Sequence, residues 1–399
     1  MTPLYARKSV SPPLKVAALL TAAVLAPVLS VPAHAVGEDG VPEAVKAPVA
    51  VSGATYTVSL PGVPGAAVRT PGPGRPAVLT SARPTRAFSL VGVSWDDPAA
   101  RPDMTVTVRT RTAAGTWTPW QALHTGDAMG QHGDAPEPTA ARGATEPLWV
   151  GRSDAVQARV EVRSGGLPGG LRLELVDPGT SPADARIAAR ATGSAAAGRG
   201  AGRPAIVGRA EWGADEQLRD LDLKYTDTVK VMFVHHTADS NALTCAESPS
   251  VLRSIYRYHV KTNGWADLGY NFLVDRCGTV FEGRAGGVDK PVLGAHTLGF
   301  NTNTSSVAAM GTYTDTAPPA EMLDSLSRVI AWKLGLHGAD PLGKAQLTSG
   351  DSGSRFPAGT NVRFNVISGH RDAFNTECPG EKLYEALPQL RRDTERRTH

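Results

Sequence analysis

At 399 residues, with 41% hydrophobic and 20% charged side chains, the chain is long enough for two domains and apolar enough to bury a full core. A formal charge of +3 supplies no polycationic surface, which removes electrostatic support for nucleic-acid binding.

Residues 1–35 follow the pattern of a secretory signal peptide: Arg7, Lys8 and Lys15 are basic, Val16 to Val31 is apolar, and Ala33-His34-Ala35 is an A-x-A cleavage site. Pro27 and Pro32 interrupt the run short of the roughly 20 residues a membrane span needs, so no span is expected in the mature chain. Loss of this segment takes the net charge to about zero, since it holds three basic residues and no acidic one. Export places the protein outside the cell. Residues 36–54 read as an extended, Pro- and Ala-rich leader.

Over residues 55–176 short alternating runs recur, among them Thr55 to Leu60, Ala87 to Val93, Thr105 to Arg111, Val156 to Val162 and Leu171 to Leu175. Period 2 with β-branched residues predicts a small all-β, sandwich-like domain. Trp95, Trp117, Trp120 and Trp149 fall here, either as core residues or as a glycan-stacking face. No cluster of His, Cys or carboxylates accompanies them, so the domain reads as accessory. Residues 177–203 are Ala-, Gly- and Arg-rich without hydrophobic pattern and read as a linker.

Residues 204–399 alternate between helical and strand periods, which predicts a mixed central sheet flanked by helices. An apolar run, Val229 to Val234, leads into His235-His236. Ser248 is placed to cap a helix with the stripe Val251, Leu252, Ile255, Tyr258 and His259. Tyr270 to Asp275 and Val280 to Gly283 form a hairpin through Cys277-Gly278. Glu321 to Leu336 is helical, Val362 to Ile367 is a strand, and Glu381 to Arg392 is a helix weakened by Pro388.

The loop His370 to Cys378 puts an imidazole and a thiol eight residues apart between Gly369 and Pro379-Gly380. His235 and His370 each lie at the C-terminal end of an apolar strand, the edge that faces the ligand crevice in open α/β sheets. If those strands are parallel neighbours, His235, His370 and Cys378 converge as three ligands with a fourth position open, the mark of a catalytic site. Imidazole and thiolate select a borderline-soft cation, and a redox-inert one suits a secreted hydrolase, so Zn2+ is expected over iron or copper. The competing reading is two satisfied polar histidines and a buried thiol. With Cys378 assigned to metal, the remaining cysteines, Cys245 and Cys277, form an even pair in an oxidising compartment. They are read as a disulfide, against two unlinked buried thiols.

Several stretches now stand together: Arg209-Ala210-Glu211-Trp212-Gly213-Ala214, Val234-His235-His236-Thr237-Ala238, Gly264-Trp265-Ala266-Asp267-Leu268-Gly269-Tyr270-Asn271-Phe272, Glu282-Gly283-Arg284, Gly294-Ala295-His296 with Asn301, and Gly369-His370-Arg371-Asp372 through Thr376-Glu377-Cys378-Pro379-Gly380. In order and spacing they resemble the zinc-dependent N-acetylmuramoyl-L-alanine amidases of the peptidoglycan-recognition-protein and type 2 amidase group, over about Pro204 to Leu390.

The resemblance implies that group's α/β fold. It implies that His235, rather than His236, binds zinc with His370 and Cys378, and that Tyr270 is the catalytic tyrosine. Thr376 falls near the reacting carbonyl, and His296 and Asn301 fall where the substrate groove is lined. The implied reaction is hydrolysis of the amide between N-acetylmuramic acid and L-alanine in peptidoglycan, by a secreted, cell-wall-associated protein for which a monomer is favoured. Members that only bind peptidoglycan have commonly lost the cysteine; Cys378 is present here, so the resemblance favours an enzyme, with a non-catalytic recognition protein as the alternative. Two features depart from the group: Arg284 to Pro291 lacks the pair used to read the stem-peptide diamino acid, and Ser305-Ser306 replace an apolar-glycine pair.

Overall fold

The computed structural model describes residues 52–60, 77–125, 142–182, 184–187 and 202–398. The expected signal segment 1–35 lies outside them, as do most of the leader 36–54 and part of the linker 177–203.

Near the N-terminus the alternating runs build one antiparallel sheet. Its strands are β1 (Ala54–Ser59), β2 (Val78–Leu79), β3 (Arg83–Trp95), β4 (Met104–Thr112), β5 (Gln121–Leu123), β6 (Gly143–Ala144), β7 (Leu148–Val162) and β8 (Arg172–Asp177). The order is β1-β8-β3-β7-β4-β5, with β2 on β7 and β6 on β3. Period 2 is plain in β4, where Met104, Val106 and Val108 are buried while Thr105, Thr107 and Arg109 stand at the surface. Register shifts around Phe88 bend β3, as bulges do, and the sheet wraps a core of Val91, Val93, Trp95, Val106, Val108, Val160 and Leu173. From Phe88 to Trp95 β3 is buried at every position, so its alternation is lost. The physical reason is that its outer face is covered by the second domain.

That domain carries β9 (Ile206–Val207), α1 (Arg209–Trp212), β10 (Val231–His236), α2 (Ser248–Arg257), β11 (Phe272–Val274), β12 (Val280–Glu282), β13 (Thr304–Ala309), α3 (Ala320–Gly335), β14 (Lys344–Thr348), β15 (Asn361–Asn365), β16 (Ile367–Gly369) and α4 (Glu381–Glu395). A six-stranded mixed sheet runs β16-β10-β13-β11-β12-β9. On one face Met322, Leu326, Val329 and Ile330 of α3 and Leu383, Leu387 and Leu390 of α4 pack on Met232, Val234, Phe272 and Val307. That apolar stripe holds α4 together through Pro388, which lies inside it and forfeits one helical hydrogen bond. On the other face α2 packs through Val251, Leu252 and Ile255 against Leu273, Phe281 and Ala308. Among the described residues no helix is long and apolar enough to cross a membrane.

Two local expectations differ from the structure. The run 362–367 is two strands, because β15 pairs with β14 in a separate hairpin while β16 joins β10. Ser248 is the first residue of α2 rather than its cap, since its hydroxyl donates to the buried Asp275 carboxylate at 2.9 Å. Within α3 Lys333 is buried, its Nζ donating to the carbonyls of Val288 and Lys290 at 2.9 and 2.6 Å. Cys245 and Cys277 are joined as a disulfide with their Cα atoms 6.2 Å apart. The bond ties the approach to α2 to the β11–β12 turn, and a loop of that size is worth about 3–4 kcal/mol in the chain-entropy picture.

The described residues belong to one compact unit, and the two sheets meet over α2. Leu90, Ala144, Trp149 and Val176 share a buried cluster with Val251, Leu252, Ile255 and Tyr258. Tyr258 donates its hydroxyl to the Thr145 carbonyl at 3.0 Å. Arg253 of α2 donates to the Pro178 carbonyl at 3.2 Å and pairs with Asp184 at 2.8 Å, which ties down the described part of the stretch read as a linker.

Asp239 lies in the same junction, its Oδ1 accepting the Trp149 N–H at 2.9 Å, and burial pushes its carboxyl up from 3.8 to about 7. Through that window the folded chain keeps a proton that the unfolded chain has lost, so this group makes stability fall as pH rises from about 4 to about 7. Urea unfolding at pH 5 and pH 8 should therefore show a loss in the wild type that Asp239→Asn lacks. Equal losses in both proteins would remove Asp239 as its source.

Candidate functional site

β10 and β16 are parallel neighbours in register, with Val234 opposite Gly369. The next residue of each chain is a histidine, and the two rings stand 4.5 Å apart between centroids. Period 2 puts His235 on the face of Val231 and Phe233, away from α3 and α4. That face is walled by Phe300, Leu347 and Phe364, the last two from the β14–β15 hairpin.

The loop after β16 brings the thiol back to the rings. Gly369 N–H donates to Asp372 Oδ2 at 2.9 Å, Arg371 N–H to the Cys378 carbonyl at 3.0 Å, and Cys378 N–H to Thr376 Oγ1 at 2.9 Å. Cys378 Sγ then lies 3.7 Å from His235 Nδ1 and accepts the His236 N–H at 3.4 Å. One ligand atom from each of His235, His370 and Cys378 lies within 4.8 Å of the others. The three residues are 0%, 1% and 2% exposed.

These side chains fit a metal ion. Both ring nitrogens of His370 lack a hydrogen-bond partner although the ring is buried, a cost of about 1–3 kcal/mol per unmet group that a cation would relieve. Burial first, then the neighbouring histidines, hold the His235 imidazole far below its ordinary pKa, and burial pushes His370 down to about 3. Both rings are thus neutral, the form that ligates. One thiol and two imidazoles are the donor set of a borderline-soft cation.

His236, the other member of the pair, faces α3 and α4. Its Nδ1 meets the Tyr313 N–H at 3.4 Å. Tyr270 is buried with its ring 5.4 Å from that of His235 and its hydroxyl 3.5 Å from the His236 carbonyl. Thr376 is half-buried and borders a cavity of about 490 Å³ that Arg355, Arg371, Phe374 and Asn375 also line. His296 is fully buried, 5.5 Å from the His235 ring. Asn301 holds the turn that presents it, its Oδ1 accepting the N–H groups of His296 and Thr297 at 2.8 and 2.9 Å. Ser305 and Ser306 sit inside β13, where Ser306 exchanges hydrogen bonds with Asn271 at 3.1 and 3.0 Å. The hydroxyl thus ties β13 to the segment entering β11. Of the four tryptophans of the β-module, Trp95 and Trp149 are core, while Trp117 and Trp120 flank Arg109 at 5.1 Å each.

Sequence reasoning missed Thr297. Its Oγ1 lies 3.4 Å from His235 Nε2 and 3.0 Å from His296 Nδ1. Engaging Nε2 leaves the Nδ1 lone pair of His235 turned to the thiol side, the orienting work of an outer-shell partner. A threonine following Ala295-His296 carries no periodic signal, so only its adjacency to a motif could have flagged it. Thr297→Val should lower metal affinity about 10-fold, read by competition with a chromophoric chelator. An unchanged affinity would assign the bond no orienting role.

The N-acetylmuramoyl-L-alanine amidase family matches residues 225–381, and the Rv3811 N-terminal galactose-binding domain-like family matches residues 39–209. Peptidoglycan-recognition protein SC1a of Drosophila melanogaster is 30% identical over 183 residues, 46% of this chain and 83% of that protein. The N-acetylmuramoyl-L-alanine amidase of Homo sapiens is 31% identical over 199 residues, 47% of this chain and 28% of that protein. Among solved structures, wild-type Drosophila PGRP-LB is similar at 23% identity and a TM-score of 0.37, covering 46% of this chain and 92% of that one.

Proposed function

The chain belongs to the family of peptidoglycan recognition proteins and N-acetylmuramoyl-L-alanine amidases, and from that premise we propose that it is a secreted, cell-wall-associated zinc hydrolase. The bond cleaved is the amide between N-acetylmuramic acid and L-alanine in peptidoglycan. The observation that carries this reading is the thiol: Cys378 completes a buried His/His/Cys set with the chemistry of a three-ligand catalytic centre.

A zinc ion held by His235, His370 and Cys378 would supply a Lewis acid against the scissile carbonyl. The protein's own part is to aim donors at the charge that builds on that oxygen. Tyr270 is suited to this, because its ring is buried beside that of His235 and its hydroxyl, 3.5 Å from the His236 carbonyl, can donate as the oxyanion forms. Thr376 spends an oxygen lone pair on Cys378 N–H and keeps its hydroxyl hydrogen to donate. Asn301 and Thr297 keep His296 and His235 in fixed orientations, so little reorganisation is required during reaction. The walls supplied by Phe233, Phe300 and Phe364 lower the local dielectric and strengthen each of these contacts.

The test is digestion of purified peptidoglycan by the metal-loaded full chain, with and without chelator. New L-alanine amino termini are expected only in the metal-loaded sample. Sedimentation with the polymer without new termini would leave recognition as the activity.

A further inference from the structure

We infer that the N-terminal β-module is a working part of the metal centre, and that Asp239 is the positioning residue through which β7 fixes the end of the ligand strand β10. From His235 the chain runs through His236 and Thr237 to Ala238, which turns with a φ of 56°. A non-glycine residue adopts that left-handed conformation only where its surroundings hold it. Asp239 follows, 1% exposed, and is gripped from two sides.

The second domain holds the backbone: Thr237 N–H donates to the Ala309 carbonyl at 3.0 Å, Gly311 N–H to Thr237 Oγ1 at 3.0 Å, and Thr312 Oγ1 to the Asp239 carbonyl at 2.8 Å. The β-module holds the side chain, through Trp149 N–H to Oδ1 at 2.9 Å. Trp149 is paired with Leu90 of β3 and buried in the shared cluster, so its backbone cannot move without its sheet.

The junction has no slack to absorb a shift. At Gly92 of β3 a Cβ would run into the ring and hydroxyl of the buried Tyr258, whose hydroxyl is itself held by the Thr145 carbonyl. Glycine is required there because the backbone of β3 rests directly on the tyrosine that follows α2. His235 lies four positions before Asp239, on a strand with hydrogen-bonded neighbours on both sides. A displacement at β7 therefore reaches the ligand with little chain to dissipate it. The β-module is then a brace for the reaction centre, whatever else its surface binds.

The inference rests on His235, His370 and Cys378 being metal ligands, and the test separates the two. In hydrogen exchange on the wild-type full chain, zinc at about 100 times its dissociation constant should slow the Trp149 amide about 100-fold, in step with Val234 and His236. Slowing of β10 with an unmoved Trp149 amide would overturn the brace and keep the metal. No slowing at any amide would overturn the metal reading and the brace with it.

Variants carry the second arm, read with cobalt in place of zinc by the thiolate-to-metal absorption band. Asp239→Ala should weaken metal binding about 10–100-fold and shift the band, while Asp239→Asn, which keeps an acceptor for Trp149 N–H, should restore both. Val108→Ala, in the β-module core away from the junction, should lower Tm and leave band and affinity unchanged. A wild-type band and affinity in Asp239→Ala, or the same losses in Val108→Ala, would overturn the brace. Should Asp239→Ala fail to fold, the wild-type exchange result decides.

Discussion

Replacing Cys378 by serine should remove metal and amidase activity together. In the proposed centre the thiolate is the one anionic donor among the three convergent side chains, and a neutral hydroxyl is a poor substitute for it. Loss of an outer-shell partner already costs about 10–100-fold in metal affinity, so loss of a direct ligand should cost at least about 100-fold. Fold stability should change far less. The neighbouring Thr376 and Arg371 bonds to the Cys378 backbone do not involve sulfur, and the added oxygen occupies less volume than the atom it replaces. Metal content of the purified variant and its release of L-alanine termini are the two readouts. A serine variant that keeps its metal and its turnover would exclude Cys378 from the centre.

Tyr270→Phe is expected to divide the two properties that Cys378→Ser removes together. The ring is buried beside His235 and its packing survives in phenylalanine. Only the hydroxyl goes, with what it bonds, the 3.5 Å contact to the His236 carbonyl included. Metal affinity should stay within about 2-fold, while kcat should fall on the order of 10²-fold, the usual cost of one oxyanion donor. Because the donor is engaged in the transition state and not in substrate binding, KM should hardly move. An unchanged kcat would remove Tyr270 from the chemistry, and a lost metal would make it a structural support of His235.

The convergence of His235, His370 and Cys378 was legible in the sequence because these residues advertise themselves. His370 and Cys378 sit in a loop bounded by glycine and proline, and His235 ends an apolar run. The parallel register of β10 and β16 supplied the condition that their convergence required. The pairing of Cys245 with Cys277 followed from removing Cys378 from the count. Other features were hidden for identifiable reasons. The partner of Asp239 is a backbone N–H 90 residues earlier in the chain, and backbone donors leave no residue-type signature. The break of the run 362–367 into two strands depends on which sheet each half joins, a tertiary choice that an apolar period cannot express. The β-module read as accessory because nothing in its own pattern tells that Leu90 and Val176 face α2 instead of water.

The central claim, that this chain cuts the lactyl amide of peptidoglycan at a metal held by His235, His370 and Cys378, is tested most directly by hydrolysing a defined muramyl peptide in ¹⁸O-labelled water. The readout is product mass spectrometry over a titration of zinc into metal-free protein. The expected result is one ¹⁸O in the lactyl carboxyl group and a free L-alanine terminus, with activity rising to a plateau at one zinc per chain. Label at any other bond, or cleavage indifferent to zinc, would contradict it.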